Sequence, residues 1–229
     1  MKGHVRASRR KRSAPPPAQD NRATKARLLQ VATALFAQKG FHGVSTREIT
    51  RQAKANLSSL YFHWRSKENL YLAAYRDLFH RLVELTQEFF ALLEEGLRTH
   101  ESLEQVIYPL ADLVFDFYEA NPELARLNLH RVLEDGAVAM QVEQEFENPF
   151  YHTLARCYQR LTEAGFIQVS DPEFLPFSLE ILLDLYFANP KRLERTLGMR
   201  QKALSSQIST LPVAPREAHS SNIQFSWYP

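Results

Sequence analysis

The sequence predicts an all-α protein, and three observations carry that reading. Apolar residues recur at helical spacing: Leu28, Val31, Ala32, Leu35 and Phe36, for example, fall at i, i+3, i+4, i+7 and i+8. Long amphipathic stretches are separated by breakers, namely Gly96, Gly136, Gly165 and the dipeptides Asn121-Pro122 and Asn189-Pro190. β-branched residues nowhere alternate with polar ones over a strand's length, so no sheet is expected.

Residues 1–21 read as a basic arm. Arg6 to Arg12 run into Ser13-Ala14-Pro15-Pro16-Pro17 with almost nothing apolar, which predicts disorder. A first helix starts near Asn21, and Gly40 stops it. Ser45-Thr46-Arg47-Glu48 is a capping box whose Ser45 hydroxyl and Glu48 carboxylate close the open end of a short helix ending near Ala53. Asn56 caps a third helix over 57–64, and Ser66 a fourth beginning at Lys67. Further helices are expected over about 67–95, 102–120, 122–134, 138–164, 172–188 and 190–208, with Asn148-Pro149 placed to break the fourth of them. Residues 210–229 form a tail.

The formal charge of +2 hides a segregation. Residues 1–67 carry 15 Lys/Arg against two acids, Asp20 and Glu48, a balance of +13, and the remainder of the chain stands at −11. A polycationic third beside an acidic remainder points to a nucleic-acid-binding module joined to a domain of another kind. The longest stretch without a Lys, Arg, Asp or Glu is 13 residues, Ala203 to Pro215, against the roughly 20 apolar residues of a membrane span. No apolar run follows the basic N-terminus, so no secretory signal is expected. The lone Cys157 excludes an intrachain disulfide or a cysteine zinc cluster and fits a reducing cytoplasm, where it reads as a small buried side chain.

Three short helices within a basic segment, the second and third joined by a tight turn, describe a helix-turn-helix. A major groove admits one helix, a partner helix braces it, and Lys/Arg meet the phosphates. The details are sharper than the generic motif. Leu28-Leu29 with Ala34-Leu35-Phe36-Ala37-Gln38-Lys39-Gly40-Phe41, then Ser45-Thr46-Arg47-Glu48-Ile49, then Leu60-Tyr61-Phe62-His63-Trp64-Arg65-Ser66-Lys67-Glu68-Asn69-Leu70 resembles the TetR/AcrR family of bacterial transcriptional repressors. The match covers about residues 22–82 with unbroken spacing and puts the helix-turn-helix on 45–64.

The resemblance implies phosphate contacts from Tyr61, His63 and Lys67, DNA contacts from Thr46 and Arg47, and base edges facing Leu57, Ser58 and Ser59. Two departures stand out. The turn, usually Ala-Gly-Val-Ser, reads Ala53-Lys54-Ala55-Asn56, so Lys54 lacks glycine's freedom; a slightly altered turn is expected, with Lys54 available to a phosphate. Leu57, Ser58 and Ser59 offer no bidentate base reader, which leaves specificity to Arg47, to thymine-methyl contact by Leu57 or to DNA shape. Leu60, Phe62 and Trp64 read as core. Arg51 and Arg65 read equally as solvated charges. The basic arm either enters a minor groove or stays a loosely attracted tail.

The resemblance further implies that residues 83–209 form a helical ligand-binding and dimerisation domain. Phe174, Phe177, Ile181 and Leu185 make one apolar stripe, Leu175, Leu182 and Tyr186 another, so this helix is expected to be buried on both sides. With Leu193, Leu197, Leu204 and Ile208 on the next helix, they fit a four-helix interface of a homodimer. Tyr75, Phe79, Tyr108, Phe115, His130, Tyr151 and Tyr158 are candidates for a pocket taking a small apolar or aromatic effector, with Asp112, Arg131 and His152 as further polar anchors. Aromatics at such spacing more often simply fill a core. No phosphate loop, dinucleotide loop or nucleophile elbow occurs, and no histidine pair has metal-ligand spacing, so no cofactor, metal or catalytic residue is expected. The reading is a cytoplasmic, sequence-specific DNA-binding regulator: a homodimeric repressor on a pseudo-palindromic operator, released by an effector. The alternatives are an activator or DNA-bound scaffold of the same fold, and a helical-bundle enzyme.

Overall fold

The computed structural model describes residues 18–98, 103–134, 136–163, 171 and 174–197. The expected arm up to residue 17 and the tail therefore lie outside the described residues. All described elements are helical. α1 (Ala18–Lys39) starts inside the expected arm, directly after the proline run, where Ala18 and Gln19 are good helix formers and Asp20 suits the positive end of the helix dipole. Gly40 ends α1 at φ 70°, and its N–H donates to the Phe36 carbonyl at 2.8 Å.

Side-chain caps set the next three starts. α2 (Thr46–Gln52) begins at Ser45, whose Oγ accepts from the Glu48 N–H at 3.2 Å. The other half of the expected box differs: the Glu48 carboxylate pairs with Lys39 Nζ at 2.5 Å and ties α2 to α1. A charged partner outcompetes a lone backbone N–H for a carboxylate. α3 (Leu57–Trp64) begins at Asn56, whose Oδ1 accepts from the Ser59 N–H at 2.7 Å. α4 (Lys67–Arg98) begins at Ser66, whose Oγ accepts from the Asn69 N–H at 3.1 Å.

Then follow α5 (Leu103–Ala120), α6 (Pro122–Val132), α7 (Ala137–Val142), a π-helical turn at Glu143–Glu147, α8 (Asn148–Glu163), α9 (Phe174–Ala188) and α10 (Pro190–Leu197). Asn148-Pro149 does not break its helix outright, because the π turn just before it absorbs the proline. The proline ring would crowd the carbonyl four residues back, on Glu145, and the widened turn moves that carbonyl aside.

α4 runs unbroken through the expected boundary near residue 82, and a single core crosses it. That core joins Leu28, Phe36, Ile49 and Leu60 to Leu124, Leu127 and Val142. Each such side chain stabilises the fold by roughly 1.5–3 kcal/mol. α6 sits centrally, packed on α9, on α1, and on α4 and α5. No described helix is long and apolar enough to cross a membrane.

Within the single chain α9 is buried on one side only, and the side expected at the homodimer interface is left open. Its inward face carries Pro176, Glu180, Asp184 and Phe187, while Phe174, Phe177, Leu182 and Leu185 face outward. The only two carboxyls of the segment are turned into the protein, because α6 opposite supplies Asn128 and Arg131 as polar partners.

Candidate nucleic-acid interface

α3 turns Leu60, fully buried, onto the core and leaves Leu57, Ser58, Tyr61 and Phe62 outward. Those four fall at i, i+1, i+4 and i+5, a single exposed face. Phe62 is thus not a core residue: it is 73% exposed, its ring edge-on to His63 at 5.0 Å. Leu60 already fills the core side, and Phe62 stands one turn above Ser58 on the opposite one. Trp64 is half-buried, with Lys25 Nζ 4.8 Å from its ring centroid. Ser59 is half-buried and gives its N–H to the Asn56 cap.

The turn before α3 keeps its shape without the glycine. Lys54 adopts φ 48°, the Ala55 N–H donates to the Thr50 carbonyl at 2.9 Å and the Lys54 N–H to Arg51 at 3.3 Å. That pair of bonds is the Schellman closure of a helix, with a left-handed lysine where glycine is the usual occupant. The expected altered turn gives way to an ordinary turn under strain. Lys54 and Arg47 are exposed, and Thr46 is half-buried.

Several bases in this region serve the fold. Arg27 Nε donates to the Ala53 carbonyl at 2.6 Å and holds the turn against α1. Lys67, expected on a phosphate, donates from Nζ to the carbonyls of Phe41 at 2.8 Å and Val44 at 2.9 Å, and lies 4.0 Å from the Phe41 ring centroid. Its ammonium is held by the loop after α1, and burial lowers its pKa. Among the described residues, Arg47, Arg51, Lys54 and Arg65 are exposed and make no ion pair. Burial first, and Lys25 second, lower the His63 pKa below its ordinary 6.5. An outward helix face beside exposed arginines is the geometry a major groove accepts.

Residues 28–74 match the family described as bacterial regulatory proteins, tetR family. The regulator YdgC of Bacillus subtilis, named as HTH-type, is 27% identical over 184 residues, which cover 72% of this chain and 92% of that one. Residues 28–74 are thus a TetR-family DNA-binding segment. The repressor SCO4008 of Streptomyces coelicolor is 27% identical over 60% of this chain and 65% of its own. A Mesorhizobium loti protein crystallised as a TetR-family regulator shares the fold with a TM-score of 0.55, at 22% identity over 82% of this chain and 92% of its own. The protein is accordingly a DNA-binding transcriptional regulator and not an enzyme.

In the C-terminal part of the chain, α4, α5, α8 and α9 line a half-open cavity of about 280 Å3. Phe115 and Tyr158 line it, with Phe89, Tyr118 and Phe150, and with Glu180, which sequence reasoning missed. Phe79 instead faces an open groove of about 540 Å3 between α4 and α8. Tyr75 and Tyr151 are not on the cavity wall. Tyr75 donates to Asn128 Oδ1, and Tyr151 lies beside Glu180 with its ring 5.9 Å from Phe177. His130 is no pocket residue either: it packs against Gly40, where an added Cβ would come within 3.2 Å of Nδ1. Pro122 starts α6 at a phase that turns Asn128 and Arg131 inward and His130 toward α1. Tyr108 lies on α5 with its side chain outside the described residues.

Arg131 belongs to the buried polar layer, with Nη1 3.0 Å from Glu143 and Nε 2.5 Å from Glu147. Asp112 and His152 are exposed, and neither lines the cavity. On α9 the outward side chains are Phe174, Phe177 and Leu185, with Ile181 half-buried. The side chains of Leu193 and Leu197, and the whole of Leu204, lie outside the described residues. The signal that could have found the buried layer was present: Glu180 and Asp184 are the only charges among residues 174–188 and stand four apart.

Proposed function

We propose that the chain is a homodimeric repressor of a pseudo-palindromic operator, released by a small apolar or aromatic effector. The observation that carries the release is the placement of α6. Asn128 and Arg131 join the polar layer beside the cavity, while Glu134, two residues beyond α6, accepts from the Phe41 N–H at 3.0 Å next to the DNA-binding helices. A ligand that moves α6 biases both ends of one rigid element, which is what coupling between two sites requires. The name of SCO4008, a repressor, supports the sign of regulation.

The outward face of α9 supports the dimer. Phe174, Phe177, Leu182 and Leu185 form an apolar patch of the kind that a second copy covers across a two-fold axis. Two α3 helices so related meet half-sites about one helical turn, ~34 Å, apart. Arg47, Arg51, Lys54 and Arg65 supply phosphate charge, Leu57, Ser58, Tyr61 and Phe62 the groove face, and Thr46, Ser59 and His63 neutral donors. Residues 1–17 contribute six more Lys/Arg to the sequence on the N-terminal side of α1.

Selection of bound duplexes from a random library tests the reading. An enriched inverted repeat, and its loss on Arg47→Ala, is the expected result. A pool with no enriched sequence overturns it.

A further inference from the structure

The buried layer between α6 and α9 has too few positive charges. Glu147, Glu180 and Asp184 are each at most 8% exposed, and Arg131 is the one guanidinium buried among them. That guanidinium is committed to Glu147 at 2.5 Å and to Glu143 at 3.0 Å. Glu180 and Asp184 are left with neutral partners, the Asn128 amide that they share at 3.0 and 3.4 Å and the Tyr151 hydroxyl beside Glu180. Two carboxylates facing only neutral donors are not stable in a low-dielectric interior, so they hold a proton or await a cation.

The cavity meets this layer at Glu180. Glu180 is among the lining residues, and its Oε2 is closed off from solvent, with the Tyr151 hydroxyl beside the carboxyl. The surrounding wall is apolar and aromatic, with Phe89, Phe115, Phe150 and Leu183. Rings and a single acceptor together suit an organic body that ends in a positive N–H donor.

We propose that the cavity binds a lipophilic ammonium ion, whose N–H is accepted by Glu180 and which displaces the proton held by Glu180 and Asp184. This rests on the ligand-responsive reading above and names the ligand's chemistry. In the exchange a neutral carboxyl gives its proton to solvent, and the resulting carboxylate pairs with the incoming cation, so one positive charge replaces another.

The other groups facing Glu180 do not supply that proton. Tyr75 on α4, Tyr118 on α5 and Tyr151 on α8 all have pKa values pushed above the ordinary tyrosine value by burial, and stay neutral. Glu147, in the π turn, is pushed up to about 7 by burial against the pull of Arg131. Asp184 is pushed up to about 9 by burial, with the Glu180 charge second, and burial raises Glu180 as well. The proton is therefore present at neutral pH and available for release.

Calorimetric titration of the full chain with 3-phenylpropylammonium and with its neutral analogue 3-phenylpropanol, at pH 6, 7 and 8 and in two buffers of different ionisation heat, tests the exchange. The amine stays protonated throughout. Its affinity is expected to rise toward tenfold per pH unit with about one proton released, and to exceed that of the alcohol at least tenfold at pH 8. Glu180→Gln, which keeps the shape, is expected to abolish the preference. An alcohol that binds as tightly, an affinity flat in pH, or a Glu180→Gln protein that keeps the preference overturns the proposal. The wild-type arms decide even where the variant does not fold. Such a failure removes the cation and leaves the operator reading to the duplex selection.

Discussion

The Phe41 backbone N–H donates to the Glu134 carboxylate across 3.0 Å, joining the loop after α1 to the end of α6. Gly40 beside it makes that approach feasible. It takes φ 70°, and a Cβ there would lie 2.7 Å from Glu134 Oε1. Gly40→Ala is therefore strained in its backbone and crowded against α6. It is expected to cost about 1–3 kcal/mol in urea unfolding. An unchanged midpoint would mean that the loop relaxes at no cost.

Lys67 and Arg51 separate structure from recognition. Lys67→Ala strips two carbonyls of their charged donor and is expected to cost about 1–3 kcal/mol of stability. The salt dependence of DNA binding by the folded fraction should hardly change. Arg51→Ala should leave stability within about 0.5 kcal/mol, but lower the slope of log K against log salt by about 0.9 if Arg51 meets one phosphate. Thermal melts paired with binding at several salt concentrations distinguish the two.

Lys54 in a left-handed conformation gives a test with opposed readouts. Lys54→Gly relieves a φ of 48° and is expected to gain about 0.5–1 kcal/mol, after allowance for glycine's freer unfolded chain. The same change removes an exposed positive charge beside α3, so DNA binding should weaken most at low salt. A variant both more stable and equally tight would take Lys54 out of the interface.

The buried acids dictate how stability follows pH. Asp184 rises from 3.8 unfolded to about 9 folded, so the native chain keeps a proton that the unfolded chain has released. That contribution is complete below about pH 4 and is lost as pH climbs toward 9, at up to about 1.4 kcal/mol per unit. Glu147, pushed up to about 7, adds to the same trend. Urea midpoints should fall between pH 5 and 9, and Asp184→Asn should flatten the fall. A wild-type midpoint constant over that range would show that Asp184 stays ionised.

Leu182 probes the outward face of α9. It is 63% exposed, so Leu182→Asp costs the single folded chain little, yet would set two carboxylates close together in a two-fold interface. Sedimentation should show a folded monomer whose operator affinity has collapsed. A stable dimer would place the interface elsewhere.

The helices and their starts were legible because their causes are local. Ser45, Asn56 and Ser66 each bond an N–H three residues on, and Gly40 sits one residue past the end of α1. Lys67 and Arg27 were not legible as struts, since their acceptors are carbonyls 23 to 26 residues away and a carbonyl has no letter in the sequence. Phe62 was misplaced by reading its chemistry before its phase: it stands four residues from Ser58. Glu180 and Asp184 were masked by the apolar residues around them, which drew the reading of this helix to its apolar stripes and away from its two acids. The partnership of Tyr75 with Asn128 spans 53 positions and belongs to the packing alone.

The π turn at Glu143–Glu147 has a consequence for the lineage of this chain. Such a turn amounts to a one-residue insertion into a helix, and each residue advances a helix by about 100°. Deleting one residue there would restore a regular helix and swing all of α8 by that angle. Phe150 and Tyr158 would leave the cavity together, while the DNA-binding helices kept their places. A relative without the insertion would share the operator-facing half and enclose a different hollow. In this segment, a single codon gained or lost would reshape the cavity wall and leave the outward face of α3 untouched.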